Sequence, residues 1–393
     1  MNLTDKRILL ISHELSYTGA PCSLLTIAQT LLKNNASVEV FSLSDGPFRV
    51  EFENLGIKVS IKTSKDYQKI SEKFNLMKFD FAICNTIVSS PAYRYVKNYI
   101  PTVWYIHEAT NIAEFFSALY AKELIQTSKD VYTVSEYAKN YIMNTFNIPV
   151  EVLHNCVYDF NDKNEKIFNK DKLNILALGT LEFRKRFDLI IDAINKLKEE
   201  YRNKVEFNFA GQVIASQKEY GENLISVANN SQNINYLGVI TDFDKIYELY
   251  EKADIVIVPS MDESCSRVVI ESFLMGVPVI ISQNVGAKYL VDDSNGWIVK
   301  TGESEPITQI LSDILDEKYC LKEMSKSARN RYLETSCPEI FDKNVLKMVE
   351  NKLKTSSNNY TAFKIIRNFV FDLFFDATIF AKNLKLFIHV QFG

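Results

Sequence analysis

The sequence predicts an α/β protein of two Rossmann-like, doubly wound parallel-sheet domains that face each other across a cleft, with a helical C-terminal extension. Three observations carry this. Short apolar runs alternate with segments of helical period from Arg7 onward. A charged stretch without apolar period, Asp159 to Lys172 (DFNDKNEKIFNKDK), interrupts the alternation, and Leu173 restarts it with the same layout. The chain of 393 residues is too long for one ordinary core and suits two. Residues 1–158 are therefore expected as the first domain, 159–172 as a linker and 173–337 as the second domain. A helix over 338–355 returns toward the first domain, and 356–393 form a tail of different composition.

Arg7 to Ser12 (RILLIS) is the first strand. It runs through the loop HELSYTGAP into Ala20, Leu24, Ile27, Ala28 and Leu31 at helical spacing, which makes strand, glycine loop, helix. Val38 to Leu43, Asp80 to Cys84, Thr102 to Ile106, Val131 to Val134 and Val150 to Leu153 continue the strand series. Strands that alternate with helices pair in parallel, because parallel neighbours need a crossover. In the second half Leu173 to Leu178 is a strand ended by Gly179, and Phe187 to Leu197 an amphipathic helix. Val205 to Ala210 and Ile234 to Leu237 are strands, and Phe243 to Lys252 is a helix.

The segment from Asp254 to Gly302 is the centre of this half. Asp254 to Val258 is a buried strand closed by Pro259-Ser260, and a polar loop carries Glu263. Ser266 to Met275 has helical spacing with Gly276 as its stop; Val277 to Ser282 is the next strand, and a turn at Gly286 opens another helix. Ligands of open parallel sheets bind beyond the carboxyl ends of the strands, where Glu263 and Glu271 are expected. After Glu303 the pattern is helical to Lys354.

Composition excludes several classes. Apolar content of 47% and charged content of 24% suit a globular protein, and a net charge of −4 gives no reason to expect nucleic acid. Cysteines 22, 84, 156, 265, 320 and 337 form no C-x-x-C pair, which argues against a disulfide frame or zinc site and for a reducing compartment. The apolar run Ile8 to Ile11 meets His13-Glu14 too soon for a signal peptide, and no stretch reaches the roughly 18 apolar residues of a membrane span. A cytoplasmic protein is expected, at the inner face of the cell membrane if its tail binds there.

The central segment resembles the retaining family-four glycosyltransferases of the GT-B fold. Their signature of Glu, seven residues, Glu, then a small residue and Gly-x-Pro-Val is similar to Glu263-SCSRVVI-Glu271 followed by SFLMGVPVI. Gly179-TLEFR-Lys185 with Asp188-LII resembles the family's Gly…Lys…Asp-x-Leu-Ile segment. FAG around Gly211, LGVITDFDK from Leu237 and Pro259-Ser260 also fit. In the first domain the likeness extends to Thr18-Gly19-Ala20 and to Ile106-His107-Glu108. Two departures stand out: the usual Phe-Gly after the first Glu is Cys265-Ser266 here, and the arginine after the first glycine is Thr180, leaving Arg184 or Arg186 to supply that charge.

The resemblance implies sugar transfer from a nucleotide-sugar donor, most simply a UDP-sugar, with retention of configuration and no cofactor or metal. It implies a glycan or polyprenyl- or lipid-linked acceptor in cell-surface polysaccharide synthesis. Glu271 would hold the ribose diol, a role acidic residues take in dinucleotide folds. Glu263 would face the sugar, and His107 would lie near it. Arg184 and Lys185 would meet the leaving diphosphate, helped by the N–H groups at the start of the Arg267-Val268 helix. Gly19 and Gly211 would let backbone approach the donor, and Asp242 both borders the base and caps its own helix. Glu263, His107 and Lys185 are the catalytic candidates.

A sugar-nucleotide 2-epimerase or a non-catalytic partner subunit would share the architecture. In the tail, Phe363, Ile366, Phe369, Val370, Leu373 and Phe374 form a broad apolar face beside Lys364 and Arg367. Residues 360–393 are expected either to lie on a membrane surface or to pack on the chain or a second copy.

Overall fold

The computed structural model describes residues 2–110, 121–159, 166–168 and 172–356. The tail at 360–393, and with it the expected membrane contact, lies outside the described residues. Among the described residues no helix is long and apolar enough to cross a membrane.

The first sheet contains β1 (Arg7–Ser12), β2 (Ser37–Ser42), β3 (Lys58–Ile61), β4 (Phe81–Asn85), β5 (Thr102–Ile106), β6 (Val131–Thr133) and β7 (Val150–Val152). They are all parallel, in the order β3-β2-β1-β4-β5-β6-β7. The order reverses beside β1, so the loops after β1 and β4 part to opposite sides of the sheet and leave a crevice at their carboxyl ends. Helices α1 (Gly19–Lys33), α2 (Arg49–Asn54), α3 (Ile70–Leu76), α4 (Ser90–Val96), α5 (Ala121–Gln126) and α6 (Glu136–Phe146) connect the strands. One face of β1, β4 and β5 (Leu10, Ile83, Val103) joins the α1 core; the other (Leu9, Ala82, Trp104) packs on α4 and α6. Burial on both faces explains the continuous apolar runs.

The second sheet contains β8 (Leu173–Leu178), β9 (Val205–Ala210), β10 (Ile234–Tyr236), β11 (Ile255–Val258), β12 (Val279–Ser282) and β13 (Gly296–Val299), in the order β10-β9-β8-β11-β12-β13. Its helices are α7 (Phe187–Lys196), α8 (Glu199–Arg202), α9 (Lys218–Asn229), α10 (Phe243–Lys252) and α11 (Arg267–Leu274), then α12 (Glu305–Leu315), α13 (Leu321–Thr335) and α14 (Pro338–Ser356). The two doubly wound domains match the expected fold. The differences are small edge elements. β3 and β13 fall where four-residue strands lack a readable period, since Lys58 and Ile298 face outward. The helix expected after Gly286 is one 3₁₀ turn, Gly286–Leu290.

α14 leaves the second domain and lies against α1. Thr30 Oγ1 donates to Asp342 Oδ1 at 2.7 Å, Lys33 Nζ pairs with Asp342 Oδ2 at 2.8 Å, and Lys352 pairs with Asp130. The Thr30–Asp342 bond is buried, so losing one partner strands the other without water. Asp342→Ala is expected to lower the unfolding free energy by about 2 kcal/mol in urea denaturation, a charged hydrogen bond of this kind being worth about 1.5–3 kcal/mol.

Candidate active site

The cleft is lined by the carboxyl-end loops of both sheets. In the second domain Lys185 ends the 3₁₀ turn Phe183–Lys185, just beyond β8, and Glu263 lies in the loop after β11, the strand beside β8. Lys185 Nζ stands 3.0 Å from Glu263 Oε1, and Ser260 Oγ donates to Glu263 Oε2 at 3.0 Å. Both charged side chains are mostly buried, at 12% and 14% exposure. Burial alone would push the Glu263 carboxyl up. Lys185 and Arg184, with the Ser260 hydroxyl, outweigh it and hold the group below its ordinary value, hence ionised at neutral pH.

The backbone beneath the pair is held by glycines. Gly179 (φ +147°) lies under the Lys185 stem, and a Cβ there would stand 3.4 Å from Lys185 Cε. Gly211 (φ +153°) packs on the Gly179 carbonyl, where a Cβ would collide, and its N–H donates to the Gly238 carbonyl at 2.9 Å. Gly211 thus has a packing reason to be glycine in addition to the expected approach to a donor. Gly19 at the start of α1 is exposed, with open space where a Cβ would go.

Arg184 clamps the acidic loop. Its Nη1 donates to the Asp262 carbonyl at 2.8 Å and its own carbonyl accepts from the Met261 N–H, while Nη2 pairs with Glu182 at 2.6 Å. Arg186 is paired with Asp188, stacks 4.8 Å over Phe183 and reaches Met261 Sδ at 3.6 Å. Of the two arginines, Arg184 is the one beside the pair.

Glu271 sits one turn into α11 and is 7% exposed. Arg267 Nε donates to its Oε1 at 2.8 Å and the Tyr250 hydroxyl to its Oε2 at 2.9 Å. Each oxygen keeps one lone pair for a further donor. Arg267 lines a cavity of about 290 Å³ between the domains, with Cys22 and Thr26 of α1, Phe243 and Tyr247 of α10, and Tyr158. Val268 is half-buried and its carbonyl accepts from Tyr250, while the N–H groups at the start of α11 have no intrahelical acceptor. Asp242 caps α10, accepting from the Asp244 N–H at 3.0 Å, and is exposed.

His107 follows β5 in the first domain. Its ring meets Tyr105 edge-on at 4.4 Å, and Nε2 is buried without a hydrogen-bond partner among the described residues. Burial, helped by nearby His13, lowers its pKa to about 3, so the ring is neutral. Glu108 accepts from the Ile87 and His107 N–H groups at 3.0 Å, and burial raises its carboxyl to about 7.

The walls touch where α6 begins: Ser135 Oγ donates to the Ser264 carbonyl, and the Tyr137 hydroxyl donates to Asp262 Oδ1 at 2.6 Å. A Cβ on Gly286 would strike both Ser264 and Ser135. Tyr250, Ser135 and Tyr137 were not expected as site residues. A tyrosine on a helix face reads as core, and contacts that cross domains leave no local pattern. Among the described residues no group of three His, Cys, Asp or Glu side chains is arranged to hold a metal ion.

Comparison with known proteins fits this geometry. Residues 159–331 match the model of glycosyl transferases group 1, and residues 4–148 match that of glycosyl-transferase family 4. Together the two matches support a glycosyltransferase of the GT-B fold. The chain is 26% identical over 237 residues to the uncharacterized glycosyltransferase MJ1607 of Methanocaldococcus jannaschii, covering 55% of this chain and 60% of that protein. It is 24% identical over 210 residues to the O-antigen chain mannosyltransferase B of Escherichia coli, covering 50% and 54%. The chain thus spans a little over half the length of these relatives. The crystal structure of Anabaena HepE in complex with UDP superposes with a TM-score of 0.74 at 18% identity, over 88% of this chain and all of that one.

Removing the cation from a buried pair leaves its carboxylate unpaired. Lys185→Met is expected to destabilise the protein by about 3–5 kcal/mol at neutral pH. Because the folded carboxyl titrates below its ordinary value, the pair contributes fully above that value and the contribution is lost as pH falls through the folded one. In the variant the unpaired carboxyl takes up a proton sooner. The gap between variant and parent should therefore close in acid, measured by denaturation from pH 7 down to pH 4.

Proposed function

We propose that the protein is a retaining glycosyltransferase that moves a hexosyl group from a nucleotide-sugar, most simply a UDP-sugar, to a glycan or lipid-linked glycan during cell-surface polysaccharide assembly. The observation that carries this reading is the ion pair of Lys185 and ionised Glu263, mostly buried at adjacent strand ends of the second sheet. The UDP complex of HepE and the O-antigen activity named for the E. coli relative support the donor and pathway class.

Lys185 neutralises charge as the sugar–phosphate bond breaks, and the free N–H groups opening α11 meet the same diphosphate. Glu263, fixed by Lys185 and Ser260, keeps lone pairs for sugar hydroxyls. Glu271, held by Arg267 and Tyr250, takes the ribose through its remaining lone pairs. His107 faces the sugar from the other wall. Attack comes from the side of the departing phosphate, so the enzyme's contribution is positioning and electrostatic stabilisation. The cationic groups are the protein's own, and the reaction runs without a divalent metal.

Screening UDP-, GDP- and dTDP-sugars by thermal shift should single out one donor base, with about 2.7 kcal/mol of stabilisation at 100 times its Kd. With that donor, Glu263→Gln and Lys185→Ala should each reduce transfer by roughly 10²–10³-fold, the scale of losing one electrostatic stabiliser. Full activity in both variants would fit a non-catalytic subunit, and an epimerised free nucleotide-sugar without acceptor would fit an epimerase. Dialysis against EDTA should leave the rate unchanged. Loss of activity restored by manganese would overturn the metal-free mechanism.

A further inference from the structure

Glu263 is fixed by two separate sets of bonds. Its carboxylate is held from within the second domain, by Lys185 and Ser260. Its backbone is held there too: the Glu263 N–H donates to the Asn284 carbonyl at 3.1 Å, and its carbonyl accepts from the Gly286 N–H at 2.7 Å. Its two chain neighbours are bound from across the gap. The Tyr137 hydroxyl donates to Asp262 Oδ1 at 2.6 Å, and Ser135 Oγ donates to the Ser264 carbonyl. The residue proposed to face the donor sugar is straddled by two bonds from the other domain.

Local sequence places Tyr137 for this contact. Ser135 caps α6, its Oγ accepting from the Ala138 N–H at 3.2 Å, and so fixes where the first turn starts. Tyr137, the second residue of that turn, then stands between two loops of the second domain. Its hydroxyl meets the loop after β11 at Asp262, and Lys288, in the turn after β12, has its Nζ 5.5 Å from the ring centre. Burial, with the Asp262 carboxylate beside it, raises the phenol's pKa, so the hydroxyl stays protonated and remains a donor. Among the described residues the Asp262 carboxylate has no second hydrogen-bond or ion-pair partner. A phenol donating to a carboxylate makes a charge-assisted bond, which belongs to the stronger class. The next residue is Glu263, so a bond at Asp262 limits how far the Glu263 backbone can shift. Small displacements of a catalytic group are costly in rate.

Resting on the transferase reading, we infer that Tyr137 is a positioning residue: by holding Asp262 from the first domain it fixes the loop on which Glu263 faces the donor sugar. It acts through Asp262 and not on the donor. The groups proposed to hold the nucleotide, Lys185, Glu271 and the N–H groups opening α11, belong to the second domain and are not bonded to Tyr137. The contact therefore acts on the transfer step and leaves nucleotide affinity alone.

The test uses the full chain, the nucleotide-sugar selected by the thermal-shift screen, and the free nucleoside diphosphate of that donor. Transfer to water, followed as nucleotide release, needs no identified acceptor. Tyr137→Phe and Asp262→Ala should each lower kcat at least fivefold and leave the Kd for the free nucleotide within twofold of the parent. The double variant should be no slower than the slower single one, because both changes remove the same bond. Asp262→Asn, whose amide oxygen still accepts from the tyrosine hydroxyl, should keep most of the rate. A contact that only supports the fold would lower the melting temperature and leave kcat of the folded protein unchanged. A smaller loss of kcat in the single variants, losses that multiply in the double one, a loss carried by nucleotide affinity, or Asp262→Asn as slow as Asp262→Ala would overturn the inference. A parent that binds the nucleotide but turns over no donor would remove the transferase reading and the positioning role together. An active parent with equally active variants would remove the positioning role alone.

Discussion

The contact between Lys185 and Glu263 is the constraint around which the rest of the molecule is arranged. Two opposite charges removed from most of their water are stable only where geometry is good and the remaining lone pairs are served. Three structural decisions provide that geometry here. β8 and β11 are neighbours, so their following loops emerge side by side. Gly179 leaves room for the lysine stem, and Gly211 lets the adjacent loop close on Gly179. Arg184 fixes the acidic loop by its backbone, so the carboxylate is presented without relying on its own bonds alone.

The cations beside the cleft, Arg184, Lys185 and Arg267, all come from the second domain, and each is paired there with a carboxylate. Ser135 and Tyr137 of the first domain hold the acidic loop that carries Glu263, so the two walls meet beside the ion pair.

Much of this architecture was legible in the sequence. The strands of both sheets read as apolar runs because parallel strands are buried on both faces, and Gly179, Gly276 and Gly286 punctuated them. Lys185 and Glu263 were each legible as a charge near a strand end, though not as partners. The rest depended on distant residues. Nothing local to Tyr250 predicts its bond to Glu271, 21 positions away, and nothing in the RKR run at 184–186 says which arginine lies beside Glu263. That choice comes from Asp188, which captures Arg186. Glu271 was expected to hold the ribose diol; nothing in the sequence said that its carboxylate is paired with Arg267 at i,i+4, or that Arg267 is the member of the pair that lines the cavity.

The chain passes between the domains twice, once after Val157 and again at Cys337, and the Tyr332 hydroxyl donates to the Val157 carbonyl at 2.7 Å, tying one crossing to the other. A door hung on two adjacent pins swings but does not slide. Rotation of the halves about that point would stretch neither crossing, whereas a slide would break the bond between them. In such a rotation the mouth of the gap, farthest from the axis, would travel most and the residues near Val157 least.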